Sequence, residues 1–251
     1  MRLGARWRVP DRKVGRAMAQ RRIRHALGAL VGAALLLSGA MARAQNSREQ
    51  VPHERYGSAV GDFDFYLFSL SWSPGFCDIE GDRKGKPECF THNGTGFQVH
   101  GLWPQFENGD YPSFCDRSRN FVPGASLAIA REIYRDKGLA IGEWRKHGEC
   151  SGLEPSLYYQ AEIALFHKIR IPRTLVAPAE PLRATPREIA QAFASANPGV
   201  IDPDMVSIAC RRGELEEVRF CVSKDLAGFR PCGSAAPDAC EAGEISVPPP
   251  R

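Results

Sequence analysis

Hydrophobic positions along this 251-residue chain fall into regular patterns only from about residue 62. "FDFYLFSLSW" (63–72) is apolar and aromatic almost throughout, which predicts a strand covered on both faces. Pro74 and Gly75 are expected to end it, and the polar, glycine-rich stretch 78–96 to form a loop. "FQVHGLW" (97–103) predicts the next strand, with Gln98 and His100 on one face and Phe97 and Val99 on the other. Residues 106–123, holding Pro112 and Pro123, read as irregular surface. Helical spacing follows in "ASLAIAREIYRDKG" (125–138), which Gly138 is suited to end, then in a short helix over "GEWRKHGEC" (142–150) and a longer one over "PSLYYQAEIALFHKI" (155–169).

Thr185-Pro186-Arg187-Glu188 is a capping-box start with proline at the first helical position, for a helix reaching about Ala196. "MVSIAC" (205–210) and "LEEVRFCVS" (215–223) predict a hairpin around Arg211-Arg212-Gly213-Glu214. No repeat or linker interrupts 62–240. The expectation is therefore one α+β domain there, a central and mostly antiparallel sheet flanked by helices. Residues 45–61 show no apolar period and read as a flexible arm, and the proline-rich 241–251 as a disordered tail.

The first 44 residues follow a different pattern. Arg21, Arg22 and Arg24 precede the apolar run "ALGALVGAALLLSGA" (26–40), and "ARA" (42–44) places small residues at a cleavage site. That is the layout of an export signal cut after Ala44. The run is too short for a spanning helix, which needs ~20 residues, so no membrane association is expected once the signal is gone. Met18 is a candidate start, and "QRRIR" a twin-arginine candidate. The leader holds ten of the 33 basic residues and one of the 29 acidic ones, leaving 23 against 28, so a chain of +4 becomes one of about −5. Any site for a polyanion must then be a local patch.

All eight cysteines, 77, 89, 115, 150, 210, 221, 232 and 240, follow the leader. An even number in an exported chain argues for four disulfides in an oxidising compartment, periplasmic or extracellular. Eight cysteines allow 105 pairings, so spacing alone leaves the connectivity open. No Cys-x-x-Cys pair points to a metal knuckle.

Chemistry concentrates in two segments, "FQVHGLWPQ" (97–105) and "EWRKHGEC" (143–150). In the second, Glu143, Lys146 and His147 stand at i, i+3 and i+4, so one helical face can carry a carboxylate, an ammonium and an imidazole. Trp144 points the other way and can root the helix. Taken singly, His100 would be a structural histidine, Glu143 with Lys146 a surface ion pair, and Trp103 a core residue. Together they supply what phosphodiester transfer needs: two imidazoles to trade acid and base roles, a cation for phosphate, and a carboxylate to orient it.

These paired motifs resemble the two active-site segments of the ribonuclease T2 family of secreted acid endoribonucleases. "DFYLFSLSWSPGFC" (64–77) is similar to the family's first core strand, and "IACRRGELEEVRFCVSKDL" (208–226) to its C-terminal hairpin, so the likeness covers about 62–240. The resemblance implies that His100 is the general acid on the leaving 5′-oxygen and His147 the base for the 2′-hydroxyl. Glu143 and Lys146 would stabilise the phosphate charge, and Trp103 would help form a base pocket.

It further implies cleavage of single-stranded RNA, first to 2′,3′-cyclic and then to 3′-phosphate ends, with no metal or other cofactor. A bell-shaped pH profile centred near or below ~6.5 would follow from two imidazoles in opposite states. DNA, lacking the 2′-hydroxyl, would not be cut this way, and a monomer is expected. Disulfides by resemblance would be Cys115–Cys150, with Cys221–Cys232 nested inside Cys210–Cys240, leaving Cys77–Cys89.

Two positions depart from the family pattern. Gly142 stands where many members have a phosphate-binding histidine, and Gln105 where an acidic residue contacts the base in some. Tyr111 and Phe106 are further candidates for base stacking. His53, His92 and His167 belong to no motif and read as ordinary residues. A rival reading is an exported RNA- or partner-binding protein on the same fold without significant catalysis, and a third is a secreted zinc-binding protein. Possession of all four catalytic side-chain types favours the enzyme.

Overall fold

Strand β2 (Phe65–Trp72) carries no charged residue, and every position but Ser71 is buried. Such a segment can lie only inside a sheet. It pairs antiparallel with β3 (Phe97–Gln105) on one side and β7 (Glu214–Ser223) on the other. The computed structural model describes residues 52–86, 89–90, 96–240 and 243–250, all within one compact unit, Val51–Arg251. Its six-stranded sheet adds β5 (Leu182–Ala184), β6 (Val206–Arg211) and β8 (Ile245–Val247) in the order β3-β2-β7-β8-β5, with β6 also paired to β7. The short β5 and β8 pair antiparallel, and β8 meets β7 in parallel at Glu214 and Ser246. The sheet is thus mostly antiparallel and flanked by helices, an α+β domain.

Helices α1 (Ser73–Phe76), α2 (Gly124–Ala130), α3 (Lys137–Lys146), α4 (Pro155–Lys168), α5 (Arg173–Val176) and α6 (Pro186–Ala196) connect the strands. The Thr185 capping box opens α6 with Pro186 at its first position. At the β6–β7 turn Arg212 and Gly213 both take positive φ, 55° and 76°, the backbone that lets a two-residue turn follow the strand twist.

The main core lies on one sheet face, where Tyr66, Phe68, Leu70 and Trp72 of β2 and Val218, Phe220 and Val222 of β7 meet residues of α4 and α6. A smaller cluster, Phe65, Leu67, Cys221, Cys232, Ala235 and Ala236 with Trp103 against it, covers part of the other face. Disulfides join Cys77 to Cys89, Cys115 to Cys150, Cys210 to Cys240 and Cys221 to Cys232.

Several expectations need correction. Residues 54–56 do not belong to a loose arm: Glu54–Tyr56 is a strand, β1, parallel to β4 (Tyr111–Ser113). The Arg55–Asp110 ion pair (2.7 Å) and the Arg55 guanidinium 4.5 Å over Phe106 hold it there. The tail contributes β8, because Ile245 and Val247 point into the core at 0% exposure and the Pro248 carbonyl accepts from the Trp72 indole at 3.0 Å. Pro74 and Gly75 end β2 by opening α1, which widens into a π-helical coil at Cys77–Gly81, so this part of the expected loop is helical. Gly138 starts a helix rather than ending one, since the Asp136 carboxylate caps α3 by accepting its N–H at 2.7 Å. The leader and His92 lie outside the described residues.

Candidate active site

A break in the β2–β3 register creates the site. Ser69 pairs with Gly101 and Leu70 with Val99, so His100 is an extra residue with no cross-strand partner. Such a bulge bends a strand and re-aims its side chains. It also resets the alternation, so that Phe97, Val99 and Leu102 all pack against the main core. On this outer strand, backbone groups without a neighbouring strand are met by side chains, as buried polar groups must be. The Tyr134 hydroxyl donates to the His100 carbonyl at 3.2 Å, and the Tyr158 hydroxyl to the Leu102 carbonyl at 2.9 Å.

Helix α3 supplies the second segment. Trp144 is fully buried, donates to the Arg119 carbonyl at 2.8 Å and packs edge-on to Tyr158. Glu143 and Lys146 lie within the helix, whereas His147 is its C-cap, with its N–H on the Glu143 carbonyl at 2.9 Å. The Cys115–Cys150 bridge ties down the following turn, and the Phe114 N–H donates to the Lys146 carbonyl at 3.0 Å.

Trp103 stands between the two segments. Its ring centre is 5.0 Å from that of His100 and 5.5 Å from that of His147. Its indole N–H donates to Glu143 Oε2 at 2.8 Å, while Glu143 Oε1 is 3.8 Å from His100 Nε2. This close approach of strand to helix requires Gly101, because a Cβ there would collide with both the Glu143 carboxylate and the Trp103 indole nitrogen. Tyr111 completes the wall, 6.2 Å from His147, with Lys146 Nζ 5.6 Å over its ring. The structure therefore brings His100, Trp103, Tyr111, Glu143, Lys146 and His147 together.

Gln105 is buried, and its amide donates to the Pro104 carbonyl at 3.0 Å. Phe106 is buried with Arg55 stacked on it. Gly142 is exposed, and nothing lies within 4 Å of where its Cβ would be. His53 is exposed, just ahead of β1, and His167 pairs with Glu132 at 3.3 Å.

The electrostatics of the two imidazoles are opposite. Burial and the neighbouring charges of Lys146 and His100 push His147 well below its ordinary value. Burial would also lower His100, but contact with Glu217 and the charges of Glu217 and Glu143 outweigh it, and the net shift is upward. Burial raises Glu143 against the opposing pull of His100, Trp103 and Lys146.

Two residues escaped the sequence reading: Glu217 and Arg219 of β7, which face the same site. Their only signal was a pair of charges two apart in a segment otherwise alternating with Val218 and Phe220. Among the described residues one grouping has metal-ligand atoms close together, Cys77, Asp82 and Cys89. Two of its three sulfur and oxygen donors are the sulfurs of a disulfide.

A model described as the Ribonuclease T2 family matches residues 63–232. Among curated proteins, a probable ribonuclease of Haemophilus influenzae is 36% identical over 126 residues, covering 46% of each chain. Ribonuclease DdI of Dictyostelium discoideum is 28% identical over 76% of this chain and 87% of its own. The chain spans about half the length of the bacterial relatives it matches. The solved structure of an RNase-related protein from Calystegia sepium superposes with a TM-score of 0.57 at 22% identity, covering 75% of this chain and 98% of the other. With the family match spanning both candidate active-site segments and strands β2, β3, β6 and β7, this chain belongs to the ribonuclease T2 family.

Proposed function

We propose that this protein is an exported, metal-independent endoribonuclease of low base specificity that cuts single-stranded RNA. One observation carries the reading: two imidazoles flank one indole beside Lys146 and Glu143, one imidazole pushed up and the other down. General acid–base chemistry needs one partner charged and one neutral, and these environments favour His100 as the charged one.

In the first step His147 takes the proton of the 2′-hydroxyl. The 2′-oxygen attacks phosphorus, the bond to the 5′-oxygen breaks, and His100 gives its proton to that oxygen. The product is a 2′,3′-cyclic phosphate. In the second step the roles reverse, with water entering in place of the departed 5′-oxygen, and a 3′-phosphate remains. His147 Nδ1 is buried without a hydrogen-bond partner among the described residues, so Nε2 is the atom that meets substrate. Lys146 places a cation beside the phosphate oxygens. Trp103 and Tyr111 offer stacking surface, which every base can use, while the Gln105 amide is engaged with the backbone. Four disulfides fit an oxidising location, periplasmic or extracellular, and no helix among the described residues is long and apolar enough to cross a membrane. The protein is read as a monomer.

Incubating the protein lacking residues 1–44 with RNA and EDTA tests the proposal. Cyclic ends are expected first and 3′-phosphate ends later, with DNA of the same sequence intact; absence of cleavage overturns the reading. The pH profile has a definite sign. Activity rises as pH climbs through the lowered His147 value and falls as it climbs through the raised His100 value. Because the two lie on either side of ~6.5, the productive state is the majority state there and a maximum is expected around it.

A further inference from the structure

Glu217 and Arg219 take no part in the scheme above, yet both reach the site. They stand opposite Ser71 and Ser69 of β2, on one face of β7. Glu217 is only 4% exposed, and a carboxylate so enclosed is costly unless its oxygens are met. Both are met. Oε1 contacts His100 Nδ1, and Oε2 accepts from Arg219 Nε at 2.7 Å with Nη2 at 2.6 Å. Arg219 is itself braced, its Cζ lying 5.6 Å over the Trp103 ring.

The bulge gives this contact its importance. His100 has no opposite residue in β2 to fix its direction. Its carbonyl is tethered by Tyr134, and its ring is gripped on the Nδ1 side by Glu217. Nε2 points the other way, 3.8 Å from Glu143 Oε1.

We propose that Glu217 is a positioning residue for His100: it accepts the Nδ1 proton, so that Nε2 is the nitrogen that exchanges a proton with substrate, while Arg219 holds the carboxylate in place. An ionised carboxylate can only accept hydrogen bonds, so the contact requires hydrogen on Nδ1 in both charge states of the ring. Although burial pushes Glu217 up, His100 and Arg219 bring it down to about 2, which keeps it ionised across the working range. The charged and titratable groups facing His100 are Glu217 and Arg219 from β7, Glu143 from α3, His147 at the α3 cap, and the Tyr134 hydroxyl on its carbonyl. Of these, Glu217 favours the imidazolium most and Arg219 opposes it.

The kinetic consequence rests on the nuclease reading; the proton placement does not. ¹⁵N NMR of the RNA-free protein, above the His100 titration, reads the tautomer directly. Hydrogen on Nδ1 is expected, and hydrogen on Nε2 overturns the proposal. In Glu217→Gln the His100 titration midpoint is expected to move to lower pH. With RNA, turnover should fall about 10- to 100-fold, with KM changed less than about threefold and the alkaline limb of the profile shifted acidward. A folded variant with an unmoved His100 midpoint overturns the proposal. Because Glu217→Gln leaves Arg219 without its partner, the double variant Glu217→Gln/Arg219→Gln gives a second folded test with no lone buried charge. Should the wild-type protein cut no RNA, the nuclease reading falls while the NMR results still decide where the proton sits.

Discussion

The two faces of the central sheet are built from the same strands and do different work. On one, Tyr66, Phe68, Leu70 and Trp72 of β2 lie beside Val218, Phe220 and Val222 of β7, all at 2% exposure or less. On the other, Phe65, Leu67 and Cys221 form a short apolar patch that gives way to Ser69, Gly101, Arg219 and Glu217. The first face is continuous packing, where dispersion and apolar burial stabilise the fold. The second trades apolar area for polar groups that must be paired, and it ends in a bulge that turns His100 toward helix α3. A strand's period of two lets adjacent residues serve opposite ends: Phe220 packs between Phe193 and Phe229 while Arg219 next to it stacks on Trp103.

Substitutions on the two faces should separate activity from stability. The largest effect is expected for His147→Ala, a loss of about 10²- to 10⁴-fold in turnover with an unchanged melting temperature. The imidazole it removes packs against Trp103 and Tyr111 but carries a buried, unpartnered Nδ1; the packing lost and the desolvation cost removed oppose each other, so the melting temperature should hold. Steady-state kinetics beside a thermal melt checks both halves, and near-normal turnover would return His147 to ordinary packing. Next comes Phe220→Ala on the opposite face, expected to cost about 3–5 kcal/mol in stability by denaturant unfolding. Turnover per folded molecule should hold; a parallel loss of rate would mean that the two faces are not separable. Gly101→Ala tests the boundary between them. Its methyl group would wedge between Glu143 and Trp103, at about 1–3 kcal/mol for overpacking and about tenfold in turnover for the displaced carboxylate. If its kinetics and melt both match wild type, the Glu143–Trp103 contact is not needed where it stands.

Much of this could be read from residues close together in the chain. The Thr185 capping box, the Arg212-Gly213 turn and the uninterrupted apolar run of β2 are local signals, and each marks an element the structure contains. The α3 start was local too, but ambiguous: Gly138 can end a helix or follow a capping aspartate, and the choice fell to Asp136. The tail misled because proline-rich composition hides two alternating apolar residues whose partners, β5 and β7, lie about 30 to 60 residues earlier.

The sequence by itself determined which side chains were available: two histidines in motifs, a carboxylate and an ammonium one helical turn apart, and eight cysteines for oxidative closure. Their order along the chain limits local geometry, because helix and strand periods act over a few residues. Tertiary structure alone decided the register slip that leaves His100 unpaired and the arrival of Glu217 at its Nδ1 from 117 residues away. It also decided the opposite electrostatic environments of two chemically identical rings. Those outcomes depend on burial and on charges supplied by distant strands, quantities that exist only once the sheet has closed.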